Sequence, residues 1–400
     1  MNLNRIPASP LRGLAQTQQA VPVATPATLL QRRASRAREL MLADNLDALV
    51  VFGRGHITEY GDAAFLTGYA PVARMSYAVL TRSGRGPVLV APTPADRWYA
   101  ARLPDAPEVR LAGEGDVVSG RDDLASAAAA VLAEERADRG RIGITGLRGL
   151  LPVGEFDALR RALPDAELVD AGSLMSRLKL LKEDEDVAEI RRTVAIADAG
   201  FIAARQALRP GATEAEVGAA IYQAVFSRGT RDALIFASAQ PYFLSWTTDR
   251  PFRNGDLATI YVEIVGPTGY WVEVGGMVAL GTPEPEQLRV AEACLEAARR
   301  AEAHLRPGST AGEVARSIDG VAAEEDLHSG LWHGHGIGVD HDSPVITAAD
   351  DTPLAPGMVI AVHPNFSTAD ERFGASVVDT YLITDDGFDR LSAVPQEILR

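Results

Sequence analysis

An internal repeat in the second half of the chain constrains its fold more than any other feature. The segment AARQALRPGATEAEVGAAI at residues 203–221 returns as ARRAEAHLRPGSTAGEVARSI at residues 298–318. In each copy, a helix that ends near Arg-Pro-Gly is followed by a Ser/Thr-capped helix with Glu in its first turn. Glycine-led apolar strands come later, GDLATIY at 255–261 and GMVIAVH at 357–363. A repeat of this length predicts two similar halves related by a pseudo-twofold axis.

The chain before the repeat has a different pattern. Helical periodicity begins at Leu29, and a compact apolar strand, DALVVFG, follows it. Helices and strands then alternate, which predicts an α/β domain over residues 29–172. The repeat lies in a second domain, which is expected over residues 173–400. Residues 1–28 are rich in Pro, Ala, Gln and Thr, which predicts a disordered extension or an arm on a partner subunit.

The composition argues against several classes of partner. A formal charge of −15 on 400 residues offers no basic face for a nucleic acid. There is no apolar run of about 18 residues and no apolar signal segment, so we expect neither a membrane span nor secretion. The single cysteine, Cys294, lies in a helical stretch and is expected to be a buried thiol, as in a cytoplasmic protein.

A glycine-rich segment, LWHGHGIGVDHDSP, holds three of the seven histidines. His335, which lies between two glycines, and His341 are compatible with a metal site or with acid–base catalysis, because imidazole binds metal ions and also accepts and returns a proton near neutral pH. His333 is expected to lie outside the site or behind it. Asp340 and Asp342 are expected to cap turns, as loop aspartates commonly do, with the orientation of a histidine as the alternative.

Polar residues interrupt several strands that are otherwise apolar. Tyr261 and Glu263 are two residues apart in IYVEIV, so their side chains should share a strand face. The return segment WVEVGG predicts a hairpin that brings Glu273 close to Glu263. His363 ends the equivalent strand of the second copy, where a buried polar side chain needs a partner. We therefore expect a pocket between the two halves that collects these side chains and the histidine segment.

An ordered set of motifs resembles the superfamily of creatinase, proline peptidases and methionine aminopeptidases. In chain order the motifs are AAFLTGYAP, LKLLKEDEDVAEIRRT, NGDLATIYVEIVGPTGYWVE, GHGIG, LAPGMVIAVHP and VVDTYLITDDGFDRLS. The resemblance covers nearly all of residues 30–400. It implies a creatinase-like α/β N-terminal domain followed by an α+β pita-bread domain with an internal pseudo-twofold repeat.

Metallopeptidases of this superfamily hold two metal ions with two Asp, one His and two Glu. The positions that the resemblance implies for these ligands carry Tyr261 (or Val262, counted from the other side), Glu273, His335, His363 and Val378. Since only the histidine is kept by identity, the resemblance implies the metal-independent branch represented by creatinase, with no cofactor. The alternative is one rearranged ion held by Glu273, His335 and His363, with or without Glu263.

The resemblance further implies a hydrolase that cleaves a C–N bond of a small amide, amidine or amino-acid-derived substrate. The residues implied as catalytic are His335, His341, His363, Glu263 and Glu273. The residues implied as substrate-binding are Tyr261, Trp246, Asp379 and, from the neighbouring subunit of a homodimer, Arg74. A lyase, a mononuclear metallopeptidase and a catalytically silent ligand- or partner-binding protein remain as alternatives.

Overall fold

The computed structural model describes residues 27–54, 61–71, 75–84, 86–103, 105–112, 123–242, 244–330 and 332–400. Nearly all of the predicted N-terminal extension lies outside the described residues, and so does Arg74. No helix within the described ranges is long and apolar enough to cross a membrane.

The first part of the chain folds around one six-stranded sheet. Its strands are β1 (Ala48–Arg54), β2 (Met75–Thr81), β3 (Val88–Ala91), β4 (Glu108–Leu111), β5 (Arg141–Ile144) and β6 (Glu167–Asp170). Its helices are α1 (Ala27–Ala43), α2 (Gly61–Thr67), α3 (Pro94–Ala100), α4 (Asp123–Glu134), α5 (Val153–Ala162) and α6 (Gly172–Lys179). The strand order is β4-β3-β2-β1-β5-β6, and β1 is antiparallel to β2 but parallel to β5. The alternating pattern thus yields a mixed sheet. Helix α6 starts at residue 172, the predicted end of the first domain, and is grouped with the first part here because it packs against α1.

The second part contains four helices and two larger sheets among its described residues. The helices are α7 (Asp184–Ala207), α8 (Glu214–Phe226), α9 (Pro285–Glu302) and α10 (Ala311–Glu324). One sheet has the order β18-β9-β8-β7, from β7 (Asp232–Ser238), β8 (Leu257–Val265), β9 (Trp271–Ala279) and β18 (Ile398–Leu399). The other has the order β12-β11-β13-β16-β17, from β11 (Gly334–Ile337), β12 (His341–Val345), β13 (Val359–Val362), β16 (Asp379–Ile383) and β17 (Phe388–Arg390). A small sheet joins β10 (His328–Ser329), β14 (Asn365–Ser367) and β15 (Gly374–Ser376).

The predicted repeat is present in the fold down to its helix caps. Thr213 caps α8 and Thr310 caps α10, and each hydroxyl accepts a hydrogen bond from the backbone N–H three residues on. In both caps the glutamate at that third position accepts a bond back, which completes a capping box. Each threonine also pairs with a later proline, Pro251 in the first copy and Pro353 in the second. Equivalent sequence therefore gives equivalent local structure in both halves.

The two larger sheets meet where β9 runs beside β16. Gly275 N–H donates to Val378 O at 3.0 Å, and the Thr380 hydroxyl donates to Glu273 O at 2.9 Å. A Cβ at Gly275 would lie 2.4 Å from Ile260 O, so the close approach requires glycine. This junction places the middle of β8 and β9 against the ends of β11 and β13.

Candidate active site

The hairpin of β8 and β9 presents two glutamates on one face. Glu263 and Glu273 are directly opposite each other in the antiparallel register, as the sequence predicted for this hairpin. Both are buried, and Glu273 has no exposed surface. Two carboxylates in such surroundings need partners of opposite charge or hydrogen-bond donors.

The hairpin of β11 and β12 supplies those partners. His341 Nε2 lies 2.7 Å from Glu263 Oε1, and His335 Nε2 lies 3.0 Å from Glu273 Oε1. The two imidazole rings are 4.7 Å apart between centroids, and the Trp271 ring lies 5.0 Å from that of His341. Each glutamate thus faces its own histidine, and the two Glu–His pairs lie side by side.

Two further residues complete the cluster. His363, just after the end of β13, has its ring 5.7 Å from that of His335. Tyr261, on the same face of β8 as Glu263, donates a hydrogen bond from its hydroxyl to Glu273 Oε2. The five side chains implied as catalytic therefore lie together with Tyr261 in one buried cluster, although their roles remain predictions.

The surroundings shift the pKa values of the two carboxylates in opposite directions. Burial alone would raise the pKa of Glu273, but the neighbouring His335 outweighs burial and holds that pKa well below its usual range. For Glu263, burial dominates and leaves the pKa raised, although the hydrogen bond from His341 opposes it. Glu273 is therefore a fixed negative charge, whereas Glu263 is the stronger base of the two.

The pKa values of the three histidines in the cluster are also shifted in different directions. Burial by itself would lower the pKa of His335 and of His341, but Glu273 and Glu263 respectively outweigh it, and both pKa values are raised. Burial lowers the pKa of His363 to about 4, since the attraction of Glu273 only partly offsets it. The cluster thus combines two imidazoles that favour the protonated form with one that is neutral.

The remaining residues implied as substrate-binding lie elsewhere. The buried Asp379 carboxylate is 2.7 Å from Arg390 and accepts the backbone N–H of Thr380 at 3.0 Å, and its role in substrate binding stays a prediction. Burial raises the pKa of Asp379 to about 7 despite the arginine. Trp246 is 72% exposed in the loop between β7 and β8, with no contact to the cluster among the described residues. Arg74 is outside the part of the chain that the structure describes.

The other polar residues of the histidine segment lie around the cluster. His333 is buried, and its Nε2 contacts Asp319 at 2.8 Å and the Ser329 hydroxyl at 3.2 Å, so it lies behind the cluster as expected. Asp342 does more than cap a turn, because its carboxylate is 2.7 Å from the buried Lys179. The sequence analysis missed Lys179, although it follows Met175 by four residues on a helix face that is otherwise buried and apolar.

Comparison with known proteins shows the family of this chain. The profile of metallopeptidase family M24 matches residues 188–385, and that of the creatinase/prolidase N-terminal domain matches residues 33–180. The chain belongs to the creatinase/M24 superfamily. Its fold is the creatinase-type N-terminal domain followed by the M24 pita-bread domain, as the sequence predicted.

Individual M24 relatives are distant. Probable dipeptidase PepE of Mycobacterium tuberculosis is 29% identical over 258 residues, which is 63% of this chain and 64% of that protein, less than two thirds of its length. Xaa-Pro dipeptidase of Pyrococcus horikoshii is 26% identical over 64% of this chain and 74% of its own length. The solved structure of Xaa-Pro dipeptidase from Bacillus anthracis has a TM-score of 0.78 at 20% identity, over 92% of this chain and 99% of that one. A likeness at that identity shows the fold.

The side chains at the implied ligand positions do not fit the two metal ions of M24 metallopeptidases. Val378 has no ligand atom, and it packs with Tyr261 and Phe236 in a small apolar cluster. Burial raises the pKa of Tyr261 well above its usual value, so this phenol is a neutral donor and not an anionic ligand.

A single metal ion needs fewer ligand atoms than a pair of ions. Two overlapping triads have ligand atoms within 4.8 Å of one another, namely Glu273, His335 and His363, and Glu263, Glu273 and His341. Imidazole and carboxylate together suit one transition-metal ion better than a pair of hard cations.

Proposed function

We propose that this M24 protein is a hydrolase that cleaves the C–N bond of a small amide, amidine or dipeptide-like substrate without the two-metal pair of its peptidase relatives. The observation that supports this proposal is the pair of buried Glu–His contacts beside a neutral histidine. Groups whose environments push their pKa values apart can act as acid and base at the same pH.

The neutral ring of His363 is the proposed base. As the oxygen of a water molecule attacks the carbonyl or amidine carbon, His363 takes the proton of that water. The ionised Glu273 carboxylate stabilises the imidazolium that forms, since it attracts charge on His363 and on the adjacent His335.

The protonated ring of His341 is the proposed acid. Its Nε2–H is held by Glu263 at 2.7 Å, and its Nδ1 is buried with no hydrogen-bond partner among the described residues. In the imidazolium form, Nδ1–H is therefore the group left to donate a proton to the leaving nitrogen. The C–N bond breaks to release an amine or ammonia, together with a carboxylic acid from an amide or an amide from an amidine, and the proton on His363 then restores His341.

The substrate class comes from two sources. The relatives named above are dipeptidases and Xaa-Pro dipeptidases, whose names indicate a bond between an acyl carbon and nitrogen. The cluster itself offers proton donors and acceptors on both sides of such a bond. We propose a substrate of dipeptide size or smaller, with Tyr261 close to its reacting carbon.

A second candidate is a hydrolase with one metal ion, and one contact favours it. Glu273 Oε1 lies 3.0 Å from His335 Nε2 and 3.7 Å from His341 Nε2, yet no described residue donates a well-aligned hydrogen bond to it. Glu273, His335 and His363 would hold the ion, which would polarise the carbonyl group and lower the pKa of bound water.

A substrate panel combined with metal analysis tests both candidates. Purified protein is dialysed against a chelator, its metal content is measured by mass spectrometry, and amine release is followed on dipeptides, acyl amino acids and amidines. We expect turnover that survives dialysis. His341→Gln and His363→Gln should each lower kcat about 10²–10⁴-fold. The exposed His328 provides the matched control, because His328→Gln should leave turnover unchanged.

Other outcomes would reject the proposal in distinct ways. Stoichiometric metal whose removal abolishes turnover would favour the one-ion candidate. Turnover that persists in both histidine variants would overturn the acid–base assignment. Binding of panel compounds with no turnover by any of them would favour a ligand-binding protein.

A further inference from the structure

A buried ion cluster around Lys179 includes the residues on either side of His341 in the chain. Lys179 Nζ is 2.7 Å from Asp62 Oδ1, 2.7 Å from Asp342 Oδ1 and 3.9 Å from Asp340 Oδ2. Lys179 is only 5% exposed. These contacts join α2 and α6 of the first part of the chain to the start of β12 in the second part.

The two aspartates in the second part flank His341 in the chain. Asp340 precedes it and Asp342 follows it, so Lys179 contacts the residue on either side of the histidine. Helix α2 packs against the same turn, since a Cβ at Gly61 would lie 2.3 Å from Val339 O and 2.6 Å from Asp340 Oδ2. The backbone of His341 is thus confined by both α2 and α6.

The position of strand β12 in its sheet explains why such a constraint matters. Among the described strands it lies at one edge of its sheet and pairs with β11 alone, through a register that shifts between His335 and Gly336. An edge strand with an irregular register can slip, and a slip would move His341 relative to its neighbours. Lys179 contacts this strand at Asp342, its second residue.

The charges of the cluster suit a fixed ion pair. Burial by itself would lower the pKa of Lys179, but Asp342 and Asp62 outweigh it, so the ammonium stays charged. Burial raises the pKa of Asp340 well above its usual value, which favours its neutral form. Lys182, whose pKa burial lowers to about 8, also faces Asp342. One ammonium and two carboxylates therefore form the core of the contact.

We propose that Lys179 is a positioning residue that holds His341 against Glu263, by tying Asp342 and Asp340 to Asp62 of helix α2. Through Lys179, the first part of the chain acts on the geometry of the candidate active site. Any effect of Lys179 on catalysis rests on the proposed function of His341. The positioning of His341 by Lys179 does not depend on that proposed function.

Four groups on the surrounding elements face His341. They are Glu263 on β8, Glu273 on β9, His335 on β11 and Asp342 on β12 itself. The His341–Glu263 hydrogen bond is the contact that loss of positioning would break. The test should therefore report on that bond at one fixed pH and without any substrate.

The exchangeable imidazole N–H signal of His341 in the proton NMR spectrum, recorded at pH 6, is a suitable probe. Its loss in His341→Gln assigns it. In Lys179→Met/Asp62→Asn, which removes the ammonium together with one of its buried partners, we expect the signal to disappear by exchange with water. Lys179→Arg should keep it, because the cation is retained. Leu132→Ala, a cavity in the separate core of the first sheet, is the control for general loss of stability and should also keep it.

A signal that persists in Lys179→Met/Asp62→Asn would overturn the proposal, and so would its loss in Leu132→Ala at a similar melting temperature. If the double variant fails to fold, Asp62→Asn alone should weaken the signal, and an unchanged signal there would equally overturn the proposal. Should the signal respond as expected while His341→Gln still turns over a substrate, the proposed function fails and the positioning stands.

Discussion

At the scale of single residues, the contact between Glu273 and His335 has a defined dependence on pH. The pKa of Glu273 is depressed in the folded state, so its contribution to stability is present above its unfolded value and is lost as the pH falls. The pKa of His335 is raised, so its contribution is complete below its unfolded value and is lost as the pH rises. Both contributions are present between about pH 4.3 and 6.5, the ordinary values of the two groups.

A double-mutant cycle with Glu273→Gln and His335→Gln should therefore give a coupling free energy that depends on pH. We expect it to be largest between about pH 4.3 and 6.5 and to decline on both sides, as measured by urea unfolding at a series of pH values. The cycle subtracts the effects of Glu263 and His363, which titrate in all four proteins. A coupling that stays flat from pH 4 to 9 would show that the two groups are not an ion pair.

At the scale of secondary-structure elements, the junction between β9 and β16 determines where the hairpins meet. Gly275→Ala should destabilise the protein by about 1–3 kcal/mol, because the added Cβ meets the backbone of β8 and must displace a strand. We also expect lower turnover on any substrate found, since Glu273 lies two residues away on β9. Urea unfolding and steady-state kinetics measure the two effects.

The neighbouring glycine provides a matched control for that substitution. A Cβ at Gly276 has the Phe201 ring as its nearest neighbour at 3.5 Å, which is ordinary van der Waals contact. Gly276→Ala should thus be tolerated with a much smaller loss of stability. Equal losses in the two variants would mean that the sheets can adjust at this junction and that its close approach does not position the site.

At the scale of the whole molecule, a second buried network joins the first part of the chain to the second. The Arg33 guanidinium on α1 contacts Asp186 on α7 and donates to the Tyr270 hydroxyl at 2.7 Å and to Phe65 O at 2.9 Å. Tyr270 precedes β9 directly, so the network fixes α1 against the turn that leads to Glu273. With Lys179, it gives the two parts of the chain two buried polar contacts.

Arg33→Met should destabilise the protein by about 3–5 kcal/mol, because Asp186 then stays buried without its cation. We expect calorimetry to show two separated transitions, since the contact between the two parts weakens more than either core. Arg32 is the control, because it pairs with Glu183 and Glu185 at the surface, and Arg32→Met should leave stability nearly unchanged. A single, equally shifted transition in both variants would contradict this expectation.

Two other expectations at this scale stay predictions. The resemblance implies a homodimer in which Arg74 reaches the pocket of the neighbouring subunit, and a cytoplasmic location is the prediction from the single cysteine. The mass in solution, measured by light scattering, would test the first.

Much of this protein could be predicted from its amino-acid sequence alone. The repeat, the capped helices α8 and α10, the hairpin of β8 and β9 and the buried Cys294 all follow from local periodicity and turn chemistry. The short elements α2, α3, β4 and β6 were not predicted individually, because four to seven residues carry too little periodic signal. Glu263, Glu273 and His363 could be chosen as site residues because each interrupts a run of apolar residues.

Only the tertiary structure decided which of these groups pair. Glu263 and His341 are 78 positions apart, and no local pattern specifies that they form a hydrogen bond. No local pattern specifies the ion pair of Asp379 with Arg390 either. The separation of the histidines into two raised pKa values and one lowered value also depends on burial and on neighbours from other strands. The sequence by itself determined the family, the duplication and the candidate residues, since these follow from local patterns. The charge pairs and the Lys179 contact came from the packing of distant elements, because electrostatic interaction depends on distance in space.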